Sequence, residues 1–178
     1  MAPKKWSKGR GKLGFLQPLL GNWKAIAETP MGPMHCTREF TEVLGGHYVQ
    51  LRARWTIAAP PKSPSSATAP AAADAAAALR AKYAGKPYEE HALIGVPKDG
   101  AVTFWSFTSD GKHSSGVVAD VTDLHPEAIG FEAQMDAGLA RMAYWPDDEA
   151  DGDGFRWVVE SKTTKGWRRF MEHRYRRA

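Results

Sequence analysis

Residues 47–57, HYVQLRARWTI, alternate strictly: His47, Val49, Leu51, Ala53, Trp55 and Ile57 share one face, while Tyr48, Gln50, Arg52, Arg54 and Thr56 share the other. Side chains reverse direction at each residue of an extended chain, so this pattern predicts a strand with one buried and one solvated side. Segments at 22–29, 36–43, 88–96, 101–108, 113–121, 128–135, 138–145, 155–162 and 167–176 have similar character, and turn chemistry divides many of them: PMGPM, Gly45-Gly46, PKDG, SDGK and TTKG. About ten short strands with hairpin-length links and no long amphipathic helix predict an all-β chain, a sandwich or a closed barrel. Ahead of them, LGFLQPLL (13–20) has room for a turn or two of helix.

The strand pattern breaks at 58–87, where the chain reads AAPPKSPSSATAPAAADAAAALRAKYAGKP. Its first half is Pro/Ser/Ala linker; Ala71 to Tyr83 favours helix and ends at Gly85. An Ala-rich helix this short is marginal unless it docks through Leu79 and Tyr83. The segment reads as an insertion between two strands, with a lid over a pocket as the sharper alternative.

Composition fits one globular domain: 178 residues, 43% hydrophobic and 11% aromatic. The net charge of +4 is misleading, because MAPKKWSKGRGK holds Lys4, Lys5, Lys8, Arg10 and Lys12 with no acid. Without those five, 19 basic residues face 20 acidic ones, so the body is near neutral and the basicity belongs to a disordered tail at 1–12. That argues against a specific nucleic-acid partner. One cysteine, Cys36, excludes an internal disulfide, and neither a signal-peptide core nor a membrane-length apolar run is found. The expected setting is the cytoplasm, away from membranes.

Catalytic and metal motifs are sparse. The six histidines form no HExxH, and His35 and Cys36, adjacent on a strand, point to opposite sides, so no metal is expected. No nucleophile elbow or S-x-x-K occurs, and GKHSSG lacks the order of a phosphate loop. DDEADGD (147–153) looks like a calcium loop, but the position for its bidentate Glu holds Val158, leaving a solvated hairpin loop. No pair of carboxylates is set out for glycoside hydrolysis.

One short motif stands out. In LLGNW, Gly21 sits two residues before Trp23, where the short helix hands over to the first strand. A Gly there lets the backbone turn sharply. This Gly-x-Trp resembles the entry motif of lipocalin-like barrels, which implies that Trp23 closes the barrel floor and that a basic side chain near the last strand packs across it. HRYRR offers Arg174 or Arg176, Arg174 standing with Gly21 and Trp23 as the floor's structural residues. With EVLGGHYVQL, EEHALIGVPKDG and the closing FMEHRYRR, the order of motifs resembles a bacterial lipocalin-like family of unknown function, allied to the calycins, over most of Leu19 to Arg177. The resemblance implies an up-and-down antiparallel barrel of about ten strands with an interior cavity, spanning 13–178, capped by 13–20 and interrupted at 58–87.

A barrel that wide is not easily filled by side chains, so its interior is expected to hold a small apolar or aromatic molecule. His47, His91 and Tyr144 are the polar candidates for contacting it, and Trp55, Trp105 and Met142 the apolar ones. By alternation His91 shares a face with Leu93, and Glu90 takes the opposite face with Ala92 and Ile94. A more distant resemblance is to nitrobindin, a haem-binding calycin, with the departure that NWKAIAETPMGPMH replaces its glycine-rich run. That relation implies haem as the alternative cofactor and His173 as its ligand, although a one-residue offset would turn His173 outward. A barrel enzyme using His/Tyr acid–base chemistry is the other alternative, and pairing of barrel surfaces would give a homodimer.

Overall fold

The computed structural model describes residues 6–29, 32–57, 86–98, 100–150 and 153–178. The segment read as an insertion lies outside them except for its last residues, Lys86 and Pro87. Ten antiparallel strands make up the fold: β1 Gly21–Thr29, β2 Gly32–Val43, β3 Tyr48–Ile57, β4 Tyr88–Gly95, β5 Thr103–Thr108, β6 His113–Ala119, β7 Ile129–Met135, β8 Gly138–Pro146, β9 Gly154–Thr163 and β10 Gly166–Arg177. Each pairs with its neighbours in chain order, and β1 pairs with β10 through Trp23↔Arg177 and Lys24↔Arg176, so the sheet closes into an up-and-down barrel. Closure removes the unpaired edges that an open sheet would expose.

Alternation decides what fills the interior. On β3, Val49, Leu51, Ala53 and Ile57 are buried and Arg52 and Arg54 exposed, as the pattern predicts. His47 departs from it. Leu44, Gly45 and Gly46 all take positive φ, forming a 3-10 turn, and His47 closes that turn, exposed, before the strand starts at Tyr48.

A 3-10 helix at Gly14–Leu19 packs Leu16 and Leu19 into one end of the barrel. Trp23 donates from Nε1 to the Leu19 carbonyl at 2.6 Å and meets Phe155 edge-on, 4.8 Å between centroids. Of the segment expected to be a tail, residues 1–5 lie outside the described residues, while Trp6 packs against the core and donates to the Glu127 carbonyl at 3.2 Å. A second apolar cluster, Val121, Ala143, Trp145 and Val158, lies outside the barrel wall, where Leu124 and Ala128 pack against it.

Gly21 answers the question its motif raises. Its φ is +119°, a conformation that side-chain-bearing residues rarely adopt, and a Cβ there would come within 2.6 Å of the Arg177 guanidinium. That guanidinium lies 4.3 Å from the Trp23 ring centroid. The floor's basic residue is therefore Arg177, not Arg174. On β10, Tyr175 points inward, so Arg177 shares its face and Arg174 and Arg176 take the outer one. There Arg174 pairs with Glu149 and Arg176 with Asp147.

Candidate functional site

The half of the barrel away from the floor holds a cavity of about 660 Å³. Its mouth lies among Met135, Ala137 and Gly138 of the β7–β8 turn, Ile57 and Tyr88 at adjoining ends of β3 and β4, and Phe170 and Met171 at the start of β10. Deeper in, Trp55, Phe104, Phe131, Met142, Trp157 and Val159 form an aromatic and aliphatic wall. The cavity lining carries three charged residues, Lys86, Glu90 and Arg141, and Glu90 accepts from the Ser106 hydroxyl at 2.7 Å.

Beneath the inner end lies Arg38. β2 carries Met34, Cys36, Arg38 and Phe40 on its inner face, and Arg38 is only 1% exposed. Its Nε donates to the Tyr175 hydroxyl at 3.1 Å and its Nη1 to the Tyr144 hydroxyl at 3.0 Å. The guanidinium carbon stands 4.0 Å from the Trp157 ring centroid and 5.3 Å from that of Trp55, so two phenols and the faces of indoles surround the cation. Ala53 and Glu90 continue the row across β3 and β4, Arg38↔Ala53 and Ala53↔Glu90.

Proton affinities follow from burial. Burial alone would favour a neutral Arg38, but the phenols of Tyr144 and Tyr175 and the Glu90 carboxylate outweigh it and raise its pKa further. Burial pushes the Cys36 thiol up to about 11 and Tyr175 up to about 12, and raises Tyr144 as well. His173 is pushed down to about 4, by burial first and the nearby Arg38 charge second. At neutral pH the thiol, the phenols and the imidazole are thus uncharged, and Arg38 is a cation whose hydrogen bonds go to neutral phenols, with the Glu90 carboxylate acting on it from a distance.

The sequence-predicted residues divide. Trp55 and Met142 line the cavity. Tyr144 lies under it, fully buried, linked to Arg38 and 3.6 Å from the Met142 sulfur. Trp105 lies on the outer face against Tyr48, their centroids 6.4 Å apart. His91 is exposed on the outer face of β4, because Ala92 and Ile94 are buried and Glu90 takes the inner position. His47 stands in its turn outside the barrel.

His173 points inward. Arg169 pairs with the outward Glu160; unbroken alternation from there would put Met171 and His173 outside. A bulge between Arg169 and Met171 adds one residue and reverses the phase, and His173 pairs with the inward Trp157. Its ring is 5% exposed, 5.3 Å from Trp157 and 6.1 Å from Tyr175 by centroids, and it does not line the cavity. An axial imidazole must face a space wide enough for a porphyrin, so this packed ring does not fit a haem held by His173. Among the described residues no group of three or more His, Cys, Asp or Glu is placed to hold a metal ion.

Arg38, Glu90 and Trp157 are among the interior residues not named as site candidates from the sequence, although Glu90 was placed on the face of Ala92 and Ile94. A signal existed for Arg38: in CTREFTEV it shares the parity of Cys36 and Phe40, an ionisable side chain on an apolar face.

No protein-family model and no curated protein matches the chain. Among solved structures, that of Rv2717c from M. tuberculosis superposes with a TM-score of 0.52, covering 96% of this chain and 99% of that one at 15% identity. At that identity the likeness shows the barrel fold alone. Among the described residues no helix is long and apolar enough to cross a membrane.

Proposed function

We propose that the protein binds a small, largely apolar molecule inside its barrel, as lipocalin-like barrels do. The observation that carries this reading is the 660 Å³ cavity walled by Trp55, Phe104, Phe131, Met142 and Val159. Its size is within the range of small-molecule sites, and its composition, apolar walls with few polar groups, is typical of them. A barrel packed only for stability would fill such a volume with side chains, since protein interiors otherwise reach crystal-like density. The lone buried thiol of Cys36 suits a cytoplasmic setting.

The test combines native mass spectrometry of the freshly purified chain with thermal-shift titration by apolar ligands. Retained mass, or a rise in Tm with ligand concentration, is the expected result. Ala140→Phe places a ring in the cavity wall and should abolish the shift. No retained mass and no stabilisation by any apolar ligand would overturn the reading.

A further inference from the structure

Three buried side-chain polar atoms among the described residues have no hydrogen-bond partner: Arg38 Nη2, Trp55 Nε1 and Trp157 Nε1. Buried polar groups are nearly always satisfied, so each of these needs an explanation. They share one. Trp55 and Trp157 stand with ring centroids 6.4 Å apart on the cavity wall, and the Arg38 guanidinium lies within 5.3 Å of both rings. All three are donors, and none has an acceptor in hydrogen-bond geometry among the described residues. The guanidinium has no carboxylate in ion-pair contact among the described residues; its bonds go to phenols. A buried cation without a counter-ion in contact is costly, and the cost falls when an anion arrives.

Resting on the cavity reading above, we infer that the ligand is an amphipathic monocarboxylic acid, its carboxylate received at the inner end by Arg38 Nη2 with the indole N–H groups of Trp55 and Trp157. A carboxylate accepts at two oxygens with about four lone-pair directions, enough for three donors. Its charge supplies the contact ion pair that Arg38 lacks, in surroundings where charge-assisted hydrogen bonds are strong. The tail then runs outward along Phe104, Phe131, Met142 and Val159 toward the rim at Met135 and Met171. Glu90 limits the head to a single charge, since its carboxylate shares the wall and would repel a doubly charged phosphate or a second carboxylate more strongly.

Calorimetric titration of the full chain with decanoate and with 1-decanol separates head from tail. Decanoate is expected to bind about ten- to a hundredfold more tightly, the range for hydrogen bonds to a charged group. Trp55→Phe and Trp157→Phe keep a ring and remove the N–H, and each should narrow the gap between the two ligands; Arg38→Met should close it. Should Arg38→Met fail to fold, the unmodified chain and the two indole variants still decide. Equal affinity for decanoate and decanol would overturn the acid head while leaving the cavity reading in place. Binding of neither would overturn both.

Discussion

The guanidinium of Arg177 lies 4.3 Å from the ring centroid of Trp23 and also occupies the space beside the Cα of Gly21, where a side chain would begin. One arginine thus joins the first strand to the last, and glycine at residue 21 serves two ends: it takes a φ of +119° and it leaves room for that guanidinium. Gly21→Ala should destabilise the barrel by about 1–3 kcal/mol through backbone strain, with a further cost from the displaced arginine. Arg177→Ala alone should cost about 1 kcal/mol, the scale of a partly exposed cation–π contact. Combining the two in urea unfolding should cost less than the sum, because the clash is counted once; strict additivity would show that Arg177 does not restrict residue 21.

A second prediction concerns Tyr144, whose hydroxyl accepts from Arg38 Nη1 at 3.0 Å. Tyr144→Phe keeps the ring but leaves the fully buried guanidinium with one acceptor fewer. The expected loss is about 1–3 kcal/mol in denaturant unfolding, the cost of an unsatisfied buried donor. In Arg38→Met the same Tyr144→Phe change should be nearly neutral or stabilising, since no donor remains to be satisfied.

The period-2 alternation made most strands legible, and it made β3 almost complete. Phase was harder. In YEEHALIG both parities carry apolar residues, Leu93 on one and Ala92 with Ile94 on the other, so His91 could not be placed until the barrel showed which face is inside. His47 continues the alternation of β3 on paper, but three consecutive positive-φ residues end the regular backbone just before it. The bulge in β10 has no composition signal in GWRRFMEHRYRR, yet it turns His173 inward. Arg38 was hidden by an ordinary assumption: arginine on a strand is read as outward. Two tyrosines, each more than 100 residues away along the chain, make the inward position tolerable.

The depressed proton affinity of His173 sets a pH dependence. Its folded pKa is about 4 and its unfolded one about 6.5. Between those values the unfolded chain binds the extra proton, so stability rises with pH through this window. The contribution is fully present above about 6.5 and is lost as the pH falls toward 4, amounting to about 3 kcal/mol for the full shift. Arg38, Tyr175 and Trp157 surround the ring, and none of them titrates in that window. His173→Phe should therefore flatten the difference between Tm at pH 7 and at pH 4.5. An unchanged slope would mean that the imidazole titrates normally.

Arg141 is almost fully buried between Glu160 at 2.7 Å and Asp123 at 2.7 Å, and Glu160 also accepts from Arg169 at 3.1 Å. Glu160→Ala strips a buried arginine of its buried partner and should cost about 3–5 kcal/mol. The exposed Arg54–Glu89 pair, 3.8 Å apart with both side chains about half open to solvent, is the comparison; Glu89→Ala should cost about 0–1 kcal/mol. Equal effects in urea unfolding would show that burial does not set the strength of these pairs.

Cys36 reports on the barrel without any substitution. The thiol is buried on the inner face of β2, and burial pushes its pKa up to about 11 even though Arg38 two residues away pulls it down. Only the thiolate reacts with iodoacetamide, so at pH 8 the native thiol is disfavoured twice, by access and by protonation. Alkylation of the native chain should be slower than that of the chain in urea by orders of magnitude, and it should follow the opening of the barrel rather than the pH alone. Occupation of the cavity stabilises the closed state by mass action, so decanoate should slow alkylation further. A thiol that reacts in the native chain as fast as in urea would place Cys36 at the surface, and with it the inner face of β2 that also carries Arg38.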